Sequence, residues 1–304
     1  MAVTKVQAVI NGQTTTLTYN SGTGKYEATI TAPSKSSYTV NDGHYYPVTI
    51  KATDDAGNVT TVDDTHASLG GSLKLKVKEK VAPNITITYP TASALITNNK
   101  PVIKWKVTDE DSGVDPDTIG ITIDSGSKIT GSAITKTSIS GGYECSYTPG
   151  TALGDGSHTV KVDASDHDGN KATQKSVAFK VDTVPPSLVL TAPTDNLVTN
   201  KSACTVSGTT NDVTSSPVSV TIKLNSGAAE SVTVQSDGSF SKALTLVSGK
   251  NTITVTATDS AGKSTSITRT VTLDTGAPVI HSVTISPNPV DAGQTYVISV
   301  EVTD

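Results

Sequence analysis

Aspartates recur at comparable points along this chain, and their carboxylates are oxygen ligands of the kind that calcium prefers. Asp182 lies in a short segment before two prolines, Asp212 follows an alternating run, and Asp259 opens a turn that contains glycine. Ca²⁺ takes about six to eight oxygen ligands from carboxylates and nearby backbone carbonyls. If the fold gathers these three residues, we expect a calcium site. Aspartates at such places also form Asx-turns that satisfy their own loops without a metal, and both interpretations stay open here.

Further acidic sets repeat this layout elsewhere in the chain. Asp274 precedes the last proline segment and Asp304 ends a comparable alternating run, so the same chemistry is expected there. In the earlier part of the chain, Glu79 and Lys80 stand where the later segments carry Asp-Thr, and the positive charge of Lys80 would oppose a cation. The other oxygen donors of these sets are Asn211, Asp109, Asp111, Asp166 and Asp168.

The residues that could support catalysis do not form a recognisable set. The chain has five histidines, none of them in H-x-x-x-H spacing, and it lacks Gly-x-Ser-x-Gly. His167 occupies a turn position where two similar turns have Asp55 and Ser260, which predicts a solvated loop residue. Glu110 and Asp111 could pair for hydrolysis, but a turn rich in Asp and Gly favours solvent. We therefore predict that the chain is not an enzyme, and calcium is the one cofactor that the sequence suggests.

Aromatic residues make up 4% of the chain, and they divide into core and surface candidates. Trp105 alternates with apolar neighbours, which predicts a core position. The cluster formed by Tyr38, His44, Tyr45 and Tyr46 cannot be buried entirely by alternation. These residues either fill part of the core and the edge of a strand, or one or two of them form a contact surface for a partner.

The turn aspartate belongs to a phrase that occurs three times, as ATDDAGN (52–58), ASDHDGN (164–170) and ATDSAGK (257–263). Each copy lies between two runs in which apolar and polar residues alternate. A period of two indicates a strand with one buried face, and Asp followed three residues later by Gly indicates a tight turn. The sequence therefore predicts one β-hairpin repeated three times.

Proline segments divide the chain into units of about 100 residues, the size of an immunoglobulin-like sandwich of about seven strands. The segments are KVAP (80–83), VPP (184–186) and GAP (276–278), and no stretch has helical periodicity. We predict an all-β protein of tandem immunoglobulin-like β-sandwiches arranged as a semi-rigid rod. The predicted domains are 1–80, 81–182, 183–275, and 276–304 as the start of a fourth, truncated domain. In such a sandwich the loops after the second and sixth strands lie beside the preceding linker, which would gather the aspartates.

The linker sequences DTVPP (182–186) and DTGAP (274–278), together with A-T-D-x-A-G-N, resemble those of tandem bacterial Ig-like domains. Such domains occur in bacterial surface adhesins and in the proteins of tailed-phage or phage-tail-like particles. The resemblance implies a non-enzymatic spacer or adhesive stalk. The first domain departs from the pattern, because it lacks a leading proline segment and carries an insertion-like VDDTHASLGGS (62–72), which would suit a docking domain.

Charge and hydropathy restrict the partners. The net charge is −5 and Arg269 is the single arginine, which excludes a nucleic-acid partner, and no apolar run is long enough for membrane insertion. Cys145 and Cys204 lie at alternating apolar positions, which predicts two buried thiols and no bridge between them.

The localisation expected from the sequence is the surface of a phage or phage-tail-like particle, because the chain starts at Met1 without a secretion signal. The expected partners are other virion or surface-structure subunits, and a host envelope protein or glycan. Two alternatives are a stalk fragment of a bacterial cell-surface adhesin, in an extracellular location, and the accessory modules of a secreted carbohydrate-active enzyme. The two strands of 276–304 bury too little to fold alone, so we expect the natural chain to continue.

Overall fold

The computed structural model describes residues 2–304, and these residues contain 24 β-strands, two short 3-10 helices and no α-helix. They divide into two compact units, one ending at Val181 and one beginning at Asp182. No helix in this part of the chain is long and apolar enough to cross a membrane. The all-β class predicted from the alternation is therefore confirmed.

Residues 2–75 form a single sheet rather than the two facing sheets expected from the sequence. The strands are β1 (Val3–Ile10), β2 (Gln13–Asn20), β3 (Lys25–Glu27), β4 (Tyr46–Asp54), β5 (Val59–Val62) and β6 (Lys74–Leu75), with a 3-10 turn at Gly70–Leu73. Their order is β3-β2-β1-β4-β5, and β6 pairs with β4. The buried hydrophobic residues of this segment are Val6, Ala8 and Tyr46, which is too little apolar surface to hold a second sheet.

The segment from residue 84 to residue 181 forms a sandwich of two four-stranded sheets. The strands are β7 (Asn84–Tyr89), β8 (Leu95–Ile96), β9 (Ile103–Thr108), β10 (Val114–Ile123), β11 (Thr135–Ile139), β12 (Gly142–Tyr147), β13 (Gly156–Asp166) and β14 (Lys175–Val181), with a 3-10 turn at Gly131–Ala133. The sheet orders are β10-β13-β14-β8 and β11-β12-β9-β7. Trp105 is fully buried at the centre, with Phe179 and the free thiol of Cys145. The predicted core position of Trp105 is confirmed.

The segment from residue 187 to residue 273 forms a second sandwich, of one three-stranded and one five-stranded sheet. The strands are β15 (Ser187–Ala192), β16 (Leu197–Thr199), β17 (Ala203–Asn211), β18 (Ser219–Leu224), β19 (Ala229–Val232), β20 (Ser239–Thr245), β21 (Gly249–Thr258) and β22 (Ser264–Leu273). The sheets are β15-β17-β20 and β16-β22-β21-β18-β19, and β16 pairs in parallel with β22 as β8 does with β14. Cys204 is buried and free. Two exposed strands follow, β23 (Val279–Ser286) and β24 (Val297–Thr303), which pair only with each other among residues 2–304.

The three predicted hairpins are present, and their turns are alike. They join β4 to β5, β13 to β14, and β21 to β22. In each turn the aspartate N–H donates to the carbonyl four residues later, at 3.0–3.1 Å, and the glycine N–H donates back to the aspartate carbonyl at 3.2 Å. The glycines have φ between +83° and +92°, which a residue with a side chain adopts only with strain. The turn residues are Asp54/Gly57, Asp166/Gly169 and Asp259/Gly262.

His158 on β13 gives the first sandwich a pH-dependent contact. Its Nδ1 lies 2.9 Å from Asp124 Oδ2 and its Nε2 lies 2.8 Å from the Gly154 carbonyl oxygen, so each ring nitrogen faces one acceptor. Partial burial alone would lower the pKa of His158, but the hydrogen bonds to Asp124 and Gly154 raise it above its usual value of 6.5. The doubly protonated ring satisfies both acceptors. The sandwich is therefore stabilised by this proton.

We expect the urea midpoint of the first sandwich to fall as the pH rises. A group with a raised folded-state pKa contributes its full stabilisation below about 6.5 and loses it as the pH passes the folded-state value. Urea titrations between about pH 5.5 and pH 8.5, followed by the fluorescence of Trp105, would measure the effect. The His158→Gln variant should have a flatter profile over this range, and an unchanged slope in that variant would contradict the assignment.

Candidate metal centres

Three buried carboxylates meet at one end of the second sandwich. Asp182, Asp212 and Asp259, here called the Asp182 cluster, each place an oxygen within 4.8 Å of the others. Their residues are only 1%, 8% and 6% exposed. The structure therefore brings together the three aspartates that the sequence singled out.

The positions of these aspartates follow from the strands that carry them. Asp182 directly follows β14, Asp212 directly follows β17, and Asp259 directly follows β21 in the repeated turn. Each uses one carboxylate oxygen to hold its own loop. Asp182 Oδ1 accepts from the Val184 N–H at 3.2 Å, and Asp259 Oδ1 accepts from the Lys263 N–H at 2.9 Å. The Asx-turn interpretation thus accounts for one oxygen of each residue and leaves the remaining oxygens to be explained.

Ser215 links two of the three aspartates, and one oxygen of the third has no partner in the described residues. Ser215 donates its hydroxyl to Asp182 Oδ2, and the same hydroxyl lies 3.2 Å from Asp212 Oδ1. Asp212 Oδ1 also accepts from the Ser215 N–H at 2.6 Å. Asp259 Oδ2 is buried and has no hydrogen-bond partner within residues 2–304. A buried carboxylate oxygen without a partner, in a group of three carboxylates, favours a bound cation.

The charges around the Asp182 cluster also favour a bound cation. Among the described residues, no lysine, arginine or histidine forms a salt bridge with any of the three aspartates. Because the oxygens lie within 4.8 Å of one another, any two of these carboxylates that are ionised repel each other. A bound cation would turn this repulsion into attraction, and carboxylate oxygens in this number suit Ca²⁺.

A second carboxylate cluster lies in the earlier unit. Glu79, Asp109 and Asp166, here called the Glu79 cluster, also place oxygens within 4.8 Å of one another. Asp109 is 6% exposed and Asp166 is 2% exposed. Lys80, which the sequence analysis expected to oppose a cation, is exposed, and its neighbour Glu79 takes the place that Asp182 has in the other cluster.

The loops of the Glu79 cluster are tied in the same manner. Asp109 Oδ1 accepts from the Gly113 N–H at 2.9 Å, and Asp166 Oδ1 accepts from the Asn170 N–H at 2.7 Å. Glu79 Oε1 accepts from the Ser112 N–H at 2.9 Å. Sequence reasoning noted Glu79 only as a replacement for the linker aspartate, and it missed Ser112. The signal that could have found the serine is a shared D-x-x-S, at 109–112 and again at 212–215.

The other predicted oxygen donors lie outside these clusters. Asp111 Oδ1 accepts from the Ser36 N–H at 3.0 Å, and Asp168 Oδ2 accepts from the Glu79 N–H at 2.9 Å, so both connect the first segment to the first sandwich. Asn211 is exposed. Asp274 and Asp304 are exposed and belong to no group of three such ligands in the described part of the chain. Asp274 Oδ1 instead accepts from the Gly276 N–H at 2.9 Å.

The predicted aromatic contact surface is largely used inside the molecule. Tyr38 stacks between His44 and His167, with ring centroids 3.9 Å apart and interplanar angles of 6° in both pairs. His167 is therefore half-buried against a ring, which corrects its interpretation as a solvated loop residue. Tyr46 is 6% exposed and cannot contact a partner, and the Tyr45 hydroxyl donates to an Asp64 oxygen at 2.8 Å.

An exposed aromatic pair lies elsewhere on the first sheet. Tyr19 and Tyr26 are directly opposite on β2 and β3, with ring centroids 5.3 Å apart, and Tyr19 is 55% exposed. Sequence reasoning missed this pair. The signal was present, because the two tyrosines are placed symmetrically about the turn at 21–24.

The buried thiol of Cys145 is not reactive as a nucleophile. Burial raises the pKa of the Cys145 thiol to about 11, which keeps it protonated at neutral pH. Glu110 is exposed in its loop, and its neighbour Asp111 is held by the Ser36 N–H. These groups therefore do not form a nucleophile and base arranged for reaction.

Each of the two sandwiches matches one family model. Residues 90–183 match the family model described as Bacterial Ig-like domain, and residues 186–275 match the model described as Glucodextranase, domain B. The chain is also similar to Bacillopeptidase F of Bacillus subtilis (strain 168), with 31% identity over 131 residues. That match covers 43% of this chain but only 9% of the relative.

Two solved structures illustrate the range of similar chains. Fibronectin(III)-like modules of Clostridium thermocellum CbhA are 20% identical, covering 63% of this chain and 94% of theirs, with a TM-score of 0.34. A three-domain immunoglobulin structure of titin is 14% identical, covering 89% of this chain and 88% of its own, with a TM-score of 0.45.

Proposed function

We propose that the chain is a spacer whose linkers are stiffened by calcium, since residues 84–273 form two β-sandwiches and the first matches the Bacterial Ig-like domain model. The observation that carries the proposal is the repetition of one buried carboxylate cluster at the start of two successive sandwiches. Each cluster combines a linker carboxylate, the aspartate of a D-x-x-S loop and the aspartate of a repeated hairpin turn. A single cation would bind all three segments at once.

The mechanical effect follows from the residues that a cation would join. In the Glu79 cluster, two hydrogen bonds already hold the linker residue Glu79. Its N–H donates to Asp168 Oδ2 at 2.9 Å, and its carbonyl oxygen accepts from the Asn170 side-chain amide at 3.2 Å. A cation would add a charged tie from Glu79 to Asp109 and Asp166. In the Asp182 cluster, the same tie would fix the linker residue Asp182 to the two loops of its own sandwich. A linker held in this way has fewer conformations.

The setting of the spacer is proposed from the similar proteins. The match to a domain of glucodextranase and the similarity to Bacillopeptidase F favour accessory modules of a secreted enzyme over the other settings. The adhesin stalk and the phage or phage-tail-like particle stay predictions from the sequence, as does contact with a host envelope protein or glycan. For a glycan, the exposed ring of Tyr19 is the surface available for stacking.

Limited proteolysis would test the calcium-stiffened linker. Lys80 is an exposed trypsin site in the linker beside Glu79. At a calcium concentration about 100 times the dissociation constant, cleavage after Lys80 should slow about 100-fold relative to EDTA, because cleavage requires the open linker. Mass spectrometry of the fragments 1–80 and 81–304 would measure the rate.

Two variants of the repeated turn make the test specific. Asp166→Asn should abolish the protection by calcium, because it removes one of the three charges of the Glu79 cluster. Asp54→Asn changes the equivalent turn residue of the first hairpin, which belongs to neither cluster, and should keep the protection. Equal cleavage rates in calcium and EDTA for the unmodified chain would refute the proposal.

A further inference from the structure

Ser112 is a buried serine whose hydroxyl has no hydrogen-bond partner in the described residues. The residue is 1% exposed, and its Oγ is buried. Its N–H donates to Glu79 Oε1 at 2.9 Å, which places the residue against the Glu79 cluster. Burying a hydroxyl without a partner is unfavourable, so an unsatisfied group of this kind requires an explanation.

The equivalent serine of the next sandwich shows where such a hydroxyl points. Ser215 follows Asp212 by three residues, as Ser112 follows Asp109. Ser215 is 3% exposed, and its Oγ contacts carboxylate oxygens of both Asp182 and Asp212. In the second sandwich the serine at the fourth position of the D-x-x-S loop thus directs its hydroxyl into the carboxylate cluster.

We infer that Ser112 Oγ is an oxygen ligand of the cation in the Glu79 cluster, an assignment that rests on the proposed calcium binding. A hydroxyl supplies a hard oxygen that raises the coordination number without adding another negative charge to three carboxylates. The assignment explains why the hydroxyl is buried without a protein partner. It also explains why a serine occupies this position in both carboxylate-bearing loops.

Calcium titration of the full chain by isothermal calorimetry would test the assignment. The Asp259→Asn background removes a charge from the Asp182 cluster, so that the remaining heat reports the Glu79 cluster. In this background, Ser112→Ala should weaken calcium binding about 10- to 100-fold, the usual range for residues that support a metal site. Ser138→Ala, at an exposed serine of the same sandwich, should leave the affinity unchanged.

A measurement in EDTA separates a ligand from a purely structural residue. The hydroxyl makes no protein hydrogen bond, so Ser112→Ala should not lower the urea midpoint of the metal-free chain. A lowered midpoint with unchanged calcium affinity would overturn the assignment and leave the proposed function standing. Absence of calcium binding in the unmodified chain would overturn the proposed function, and the assignment of Ser112 with it.

Discussion

Calcium should raise the melting temperature of the sandwich formed by residues 187–273 by about 10–20 °C. Binding to the folded state alone stabilises it by about 2.7 kcal/mol when the ligand is present at 100 times its dissociation constant. For a domain of this size, 1 kcal/mol corresponds to about 4–8 °C. Differential scanning calorimetry in calcium and in EDTA would measure the shift.

We expect so large an effect because the Asp182 cluster destabilises the folded domain when no cation is bound. Three buried carboxylates within 4.8 Å repel one another, and Asp259 Oδ2 has no partner in the described residues. The Asp259→Asn variant should therefore melt no lower than the unmodified chain in EDTA, yet should lose the calcium shift of this domain. Asp54→Asn should keep the full shift, because Asp54 forms the same turn away from any cluster. A calcium shift that survives in Asp259→Asn would rule out this site.

Replacing Trp105 with alanine should cost about 3–5 kcal/mol, a large part of the stability of the first sandwich. Trp105 is fully buried on β9, at the centre of the core with Phe179. Removing a buried tryptophan side chain loses its transfer free energy and leaves a cavity. A domain of about 100 residues is stable by only about 5–15 kcal/mol. Urea denaturation followed by far-UV circular dichroism would measure the loss.

Two comparison variants separate the cavity from the chemistry of the indole ring. Trp105 Nε1 is buried without a hydrogen-bond partner in the described part of the chain, so Trp105→Phe loses no bond, leaves a smaller cavity and should cost less than Trp105→Ala. Val102→Ala, at a residue 42% exposed, should change the stability by no more than about 0.5 kcal/mol. Equal midpoints for Trp105→Ala and the unmodified chain would contradict the assigned core.

Local signals in the sequence were sufficient for the hairpins and for the core of each sandwich. The alternation around 52–58, 164–170 and 257–263 and the Asp and Gly of each turn act over a few residues, so the pattern and the structure agree. The burial of Trp105 and of both cysteines follows from the same alternation. For the candidate metal centre, knowing that linker, early loop and hairpin turn meet at one end of a sandwich was enough to group Asp182, Asp212 and Asp259.

Other features depended on contacts between residues far apart in the chain. The first 75 residues alternate well enough to predict strands, but only the small number of buried side chains decides that they form one sheet. His167 occupies a variable turn position, and its stacking on Tyr38 depends on a residue more than 100 positions away. Glu79 joins a carboxylate cluster although its neighbour Lys80 carries the opposite charge, because Glu79 is partly buried whereas Lys80 is exposed. Periodicity and turn chemistry describe neighbours along the chain, whereas stacking, charge clustering and an unpartnered hydroxyl arise only where distant segments pack together.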